Sequence, residues 1–99
     1  MYYTNANKTG MAGYHGPATK VIQTPYNSVQ KAELSAIILL LTDISDAINI
    51  VIDSQYVEQV VLNIETMTLI PDATEITRLF SEMQHLLWGR TNPIFITHI

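Results

Sequence analysis

The chain has 99 residues, of which 47 % are hydrophobic and 14 % charged, and its formal net charge is −4. This length suits one small domain with one core, and the composition excludes a disordered chain. The chain contains no cysteine, which excludes disulfides and thiolate chemistry. Acidic residues outnumber basic ones by 9 to 5, which argues against a nucleic-acid partner because phosphate contacts need a basic surface.

The sequence carries no membrane, export or zinc signal. The longest apolar run, AIILLL at 36–41, is too short to cross a bilayer. Met1 leads directly into a polar segment without a signal peptide, so we expect an intracellular protein, cytoplasmic or nuclear, that is not secreted. The three histidines form no ligand pair at helical or zinc-finger spacing; they are His15, His85 and His98.

The first part of the chain predicts an antiparallel meander of three short strands. MYYTNA at 1–6 and MAGYHG at 11–16 are separated by NKTG at 7–10, which is a turn signal. KVIQTPY at 20–26 predicts the third strand. Connections this short favour neighbouring antiparallel strands over helix-linked parallel ones.

A buried helix and an internal strand follow. SVQKAELSAIILLLT at 28–42 predicts a helix with Ser28 as its N-cap. The second half of this helix is apolar nearly all round, which predicts burial. DAINIVID at 46–53 then predicts a strand with apolar residues on both faces, which is typical of an internal strand in an α/β sheet.

Two more helices are predicted in the second half of the chain. SQYVEQVVLNIET at 54–66 has apolar residues at helical spacing and Ser54 as a cap. DATEITRLFSEMQHLLWG at 72–89 shows the clearest helical pattern, with Asp72 and Glu75 as a capping-box-like start. Its apolar stripe predicts core packing and consists of Ile76, Leu79, Phe80, Met83 and Leu87.

The last helix is predicted to end at Gly89, a natural C-cap, and PIFITHI at 93–99 predicts a final strand. The order β-β-β-α-β-α-α-β predicts an α/β fold with an antiparallel start and parallel, helix-connected strands. In such sheets the functional crevice lies at the carboxyl ends of the parallel strands, which is where Asp53 stands.

Five stretches share a resemblance to one family. KAEL at 31–34, IDSQYV at 52–57 and YTNANKTGMAGY at 3–14 resemble the first-helix glutamate motif, the TDSQYV motif and the first hairpin of retroviral reverse-transcriptase ribonuclease H domains. The likeness is greatest to betaretrovirus-like, K-type endogenous elements. TPYNSVQKAEL at 24–34 and PIFITHI at 93–99 fit the same pattern. The resemblance covers nearly the whole chain as one domain, residues 1–99.

The resemblance implies a ribonuclease H-like fold, a mixed five-stranded sheet with helices mainly on one face. It implies a site where four carboxylates hold two Mg²⁺ ions about 4 Å apart. Glu33 matches the carboxylate of the first helix, and Asp53 matches the one that closes the fourth strand. Asn5 stands where the family has its first aspartate, and the fourth aspartate belongs to a C-terminal helix that is expected to be missing after Ile99.

Four further positions match residues that line the hybrid-binding groove of the family, namely Gln30, Ser54, Gln55 and Tyr56. For Gln55 and Tyr56 the alternative is ordinary packing in the first turn of a helix. For Glu33 and Asp53 the alternative is a solvated or capping charge.

Two carboxylates leave about two positive charges of a Mg²⁺ pair uncompensated, so we expect weak or single-metal binding at most and no required cofactor. Because transition-state stabilisation in such chemistry is mostly electrostatic, we expect a catalytically inactive domain, a captured retroviral remnant. The alternatives are a Mg-dependent ribonuclease H, residually active or a polyprotein fragment, and a non-cleaving hybrid binder.

A sheet without its C-terminal helix would expose an apolar face, on the order of several hundred Å². Self-association is the simplest cover, and a symmetric homodimer is the commonest arrangement. We therefore expect a homodimer, with exchange of an element between protomers as a variant, and leave host-protein partners open. No membrane partner is expected.

Overall fold

The computed structural model describes residues 1–70 and 74–99, and it confirms the predicted α/β class and order of elements. The strands are β1 (Tyr2–Ala6), β2 (Met11–His15), β3 (Lys20–Gln23), β4 (Ile48–Ile52) and β5 (Ile94–His98). The helices are α1 (Val29–Asp43), α2 (Gln55–Asn63), which continues in a 3₁₀ turn at Ile64–Thr66, and α3 (Glu75–Trp88).

The five strands form one mixed sheet in the order β3-β2-β1-β4-β5. The β1–β2 and β2–β3 pairs are antiparallel, and the β1–β4 and β4–β5 pairs are parallel, as the sequence predicts. Gly10 has a φ of 90° in the turn between β1 and β2, a conformation that a side chain would strain. β3 ends earlier than predicted, before Pro25, which has no N–H to donate to a ladder.

The core lies between the sheet and the helices. Leu34, Ile37 and Leu40 of α1 are fully buried, which confirms the burial predicted from the apolar second half of that helix. They belong to one cluster with Ile50 of β4 and Met83 of α3. Burying side chains of this size stabilises a fold by about 1.5–3 kcal/mol each.

Two predicted N-caps and one predicted C-cap are confirmed. The Ser28 hydroxyl accepts a hydrogen bond from the backbone of Lys31, and the Ser54 hydroxyl accepts one from the backbone of Val57. Each bond satisfies a backbone donor that the helix itself leaves unpaired. Gly89 is the C-cap of α3.

The predicted start of α3 differs from the structure. Thr74 is the N-cap, its hydroxyl accepts from the backbone of Thr77, and the helix begins at Glu75. Asp72, the cap predicted from sequence, lies outside the described residues. Threonine and aspartate are both good N-caps, so their spacing alone does not choose between them.

The two faces of the sheet differ in their cover. Tyr2, Tyr14 and Ile50 point to the helix side and are buried. On the opposite face Tyr3 is 40 % exposed and Phe95 is 57 % exposed. This confirms helices mainly on one face and leaves apolar side chains of the other face in solvent.

Within residues 1–70 and 74–99, none of the helices combines the length and the apolar character needed to cross a membrane.

Candidate functional site

A small cleft lies at the carboxyl ends of β1 and β4, the place that the sheet topology predicts. Because these two strands are parallel neighbours, their carboxyl ends meet at one edge of the sheet. The cleft has a volume of about 40 Å³, room for a few water-sized ligands. Its lining residues are Thr4, Asn5, Ala6, Glu33, Ile52, Asp53 and Ser54.

Each polar group of the cleft comes from a different element. β1 supplies Asn5, α1 supplies Glu33, and the turn between β4 and α2 supplies Asp53. Three residues that lie far apart in the sequence are thus brought together as the resemblance implies. The helix-capping role of Ser54 fixes the turn that carries Asp53, because the two residues are adjacent.

The carboxylates differ in their surroundings. Oε2 of Glu33 is buried and has no hydrogen-bond partner among the described residues, whereas Asp53 is exposed. The side-chain oxygen of Asn5 accepts a hydrogen bond of 2.9 Å from the backbone of Ala6. A buried carboxylate oxygen without a donor is costly, and a cation would satisfy it.

The donor set fits one hard cation and does not fit two. Across the described residues, no group of three or more His, Cys, Asp or Glu side chains could hold a metal ion. Glu33 and Asp53 would hold one Mg²⁺, with water completing its shell, and Asn5 would add an uncharged oxygen. When bound, such an ion acts as a Lewis acid toward phosphoryl oxygens.

The four predicted groove positions divide into two groups. Ser54 lines the cleft, whereas Gln30, Gln55 and Tyr56 do not. Both glutamines are exposed to solvent, and Tyr56 is half-buried against the apolar core. Burial raises the pKa of the Tyr56 hydroxyl above its ordinary value. Its placement agrees with the first-turn packing that the sequence left as an alternative.

One neighbour of the cleft was not among the predicted site residues. His98 is in register with Ile52 on β4, and its Nε2 lies 3.4 Å from the backbone oxygen of Asp53. Its Nδ1 lies 3.8 Å from a carboxylate oxygen of Glu58. Histidine spacing cannot reveal this placement, because it depends on the pairing of β5 with β4.

Comparison with known proteins identifies the family of this fold and cleft. A family model described as RNase H matches residues 2–99. The chain is also similar to retroviral polyproteins. It is 35 % identical over 103 residues to the Gag-Pro-Pol polyprotein of squirrel monkey retrovirus and 34 % identical over 101 residues to that of Mason-Pfizer monkey virus, and both matches cover 100 % of this chain.

A third relative is the Gag-Pro-Pol polyprotein of mouse mammary tumor virus, 30 % identical over 98 residues that cover 96 % of this chain. The chain spans only 5 %, 6 % and 5 % of the lengths of these three polyproteins, in the order given. The matched region therefore corresponds to one small part of each relative. Because the family model covers almost every residue, the chain belongs to the ribonuclease H family.

Proposed function

We propose that this chain is a catalytically inactive ribonuclease H domain of retroviral origin that acts as a protein-interaction and self-association module. The proposed inactivity rests on Asn5, whose amide lies in the cleft that also contains Glu33 and Asp53. The family hydrolyses phosphodiesters with metal ions held by carboxylates, and here one of the matching positions brings no negative charge.

The electrostatics of the cleft support inactivity. An amide oxygen coordinates Mg²⁺ but does not compensate its charge, and it bridges two dications poorly. Removing a single preorganised electrostatic group from an active site typically costs about 10²–10³ in rate. Glu33 and Asp53 remain a binding site for one weakly held cation, and no cofactor is needed for the fold.

The distribution of charge supports self-association. None of the five strands contains Asp or Glu, although the chain carries nine such residues and a net charge of −4. The face of the sheet opposite the helices exposes Tyr3 and Phe95. The sheet is therefore a surface through which two copies can meet with little like-charge repulsion.

Hydrolysis is tested with a fluorescent RNA–DNA hybrid in Mg²⁺ or Mn²⁺. We expect no cleavage above buffer by the wild-type chain. Cleavage that disappears in Asp53→Asn would establish the alternative function, a metal-dependent ribonuclease H, which the pairing of Glu33 with Asp53 in one cleft favours. The matched control is Asp46→Asn, a loop carboxylate remote from the cleft.

The same labelled hybrid tests nucleic-acid binding without cleavage. We expect no mobility shift at low salt, since the chain is acidic. A salt-dependent mobility shift would show that the chain binds the hybrid, and it would contradict the proposed interaction module.

Self-association is tested by sedimentation velocity at rising concentration, where we expect a dimer.

A further inference from the structure

The two edges of the sheet are protected to different degrees. β3 is four residues long, lies between Pro17 and Pro25, and carries Lys20. A short strand, flanking prolines and an edge lysine are features that prevent a further strand from adding. β5 is five residues long and carries no acidic residue, lysine or arginine, and within the described residues no strand pairs with its outer side.

The hydrogen bonds of β5 show which backbone groups face outward. Pro93 accepts from the N–H of Ile48, and the N–H of Ile99 donates to Ile52. In a parallel ladder alternate residues direct both backbone groups to the same neighbour. The odd-numbered residues of β5 therefore face β4, and the even-numbered residues Ile94, Ile96 and His98 direct their N–H and C=O groups to solvent.

We infer that this outer edge of β5 binds β5 of a second copy in antiparallel orientation, with the two-fold axis at Ile96, which joins two sheets into one. The inference rests on the proposed self-association and names its surface. With this axis Ile96 faces the partner's Ile96, and Ile94 faces the partner's His98. All the outward groups then pair, which gives about six hydrogen bonds between the strands.

The side chains of β5 agree with a second copy as the occupant. Phe95 would face the partner's Thr97. The two Phe95 residues would be diagonal neighbours about 7–8 Å apart along the ladder, a distance that aromatic side chains can span. Phe95 is 57 % exposed in the single chain. A lysine- and carboxylate-free strand also lets two chains of net charge −4 approach each other.

Amide hydrogen exchange on the wild-type chain tests this directly. At about 10 μM the amides of Phe95 and Thr97 should be protected by β4, while those of Ile94, Ile96 and His98 exchange freely. At about 1 mM the second group should become protected at least about tenfold more, while the first changes little. If the amides of Ile94, Ile96 and His98 still exchange freely at about 1 mM, the β5 interface is refuted.

A pair of proline variants provides a second test. Ile96→Pro removes an outward N–H and leaves the β4 ladder intact, so the dimer dissociation constant should rise at least about tenfold. Val21→Pro is the matched control on β3: because Thr24 donates inward to Gly10, the N–H of Val21 faces outward. The control should leave the dissociation constant unchanged.

The outcomes separate this interface from the proposed function. A wild-type chain that stays monomeric at about 1 mM refutes self-association and the interface together. A wild-type dimer that Ile96→Pro leaves intact refutes the β5 interface alone. If Ile96→Pro does not fold, the exchange pattern of the wild-type amides decides the question.

Discussion

The amide of Asn5 and the carboxylate of Glu33 line the same cleft, and Oε2 of Glu33 is buried there without a hydrogen-bond partner among the described residues. In the arrangement that the family resemblance implies, a metal ion between two carboxylates would satisfy such an oxygen. With an amide in place of one carboxylate, the proposed cation site has a buried acceptor but less negative charge, so we expect it to bind a cation weakly.

Asn5→Asp should therefore increase the affinity of the cleft for Mg²⁺, by roughly tenfold or more, because it adds a charged oxygen ligand. In the absence of metal the variant should be less stable than the wild type, since it places a third carboxylate beside Glu33 and Asp53. Titration calorimetry with Mg²⁺ and thermal unfolding with and without the metal measure both effects.

Asn49→Asp is the matched control, because Asn49 is an exposed asparagine of β4 that does not line the cleft. It makes the same chemical change on the sheet and should leave Mg²⁺ affinity unchanged. Equal responses of the two variants to Mg²⁺ would contradict a cation site at Asn5.

Glu33→Gln should stabilise the metal-free protein by about 0.5–1.5 kcal/mol, because a neutral amide costs less to bury than a carboxylate without a donor. The free energy of unfolding in urea with a chelator measures this effect. Glu82→Gln, an exposed change on α3, should have no comparable effect. A loss of stability in Glu33→Gln would mean that the carboxylate has a stabilising partner in solution.

The fold should lose stability at high pH through Tyr14. Burial, and then the hydrogen bond of 2.9 Å to Asp43, raises the pKa of Tyr14 above its ordinary value. A raised pKa favours the neutral folded form, so this contribution is full below pH 10, the ordinary pKa of tyrosine, and is lost as the pH rises through the folded pKa.

Urea unfolding between pH 8 and pH 11 tests the effect. Tyr14→Phe should flatten the decrease in stability at high pH, because it removes the titrating group. Tyr26→Phe, at a half-buried tyrosine outside this contact, should keep the wild-type slope. Identical slopes in the wild type and Tyr14→Phe would exclude Tyr14 as the source.

Gln84→Ala should destabilise the fold by about 2–3 kcal/mol. Gln84 is buried, and its amide donates to the backbone oxygens of Ile64 at 2.8 Å and Met67 at 2.7 Å, so its loss leaves two carbonyl groups without their donor. Gln59→Ala, an exposed glutamine of α2, should change stability by less than about 0.5 kcal/mol. Equal losses of stability in the two variants would contradict a stabilising contribution from the two hydrogen bonds of Gln84.

The local signals in the sequence were sufficient for most of the fold. The capping serines Ser28 and Ser54 and the C-cap Gly89 were predicted correctly, because a cap depends on the chain immediately beside it. The start of α3 was predicted wrongly, since Thr74 lies among several residues able to cap a helix. The motifs around Glu33 and Asp53 indicated the family, which the family comparison confirmed.

By itself, then, the sequence determined the element order, the fold class and the family, because periodicity, caps and motifs act over a few residues. Only the tertiary structure decided that Asn5, Glu33 and Asp53 share one cleft and that His98 lies beside Asp53. It also decided that, among residues 1–70 and 74–99, no strand pairs with the outer edge of β5. These are long-range relationships, set by strand order and register, and no local pattern encodes which residue will face which.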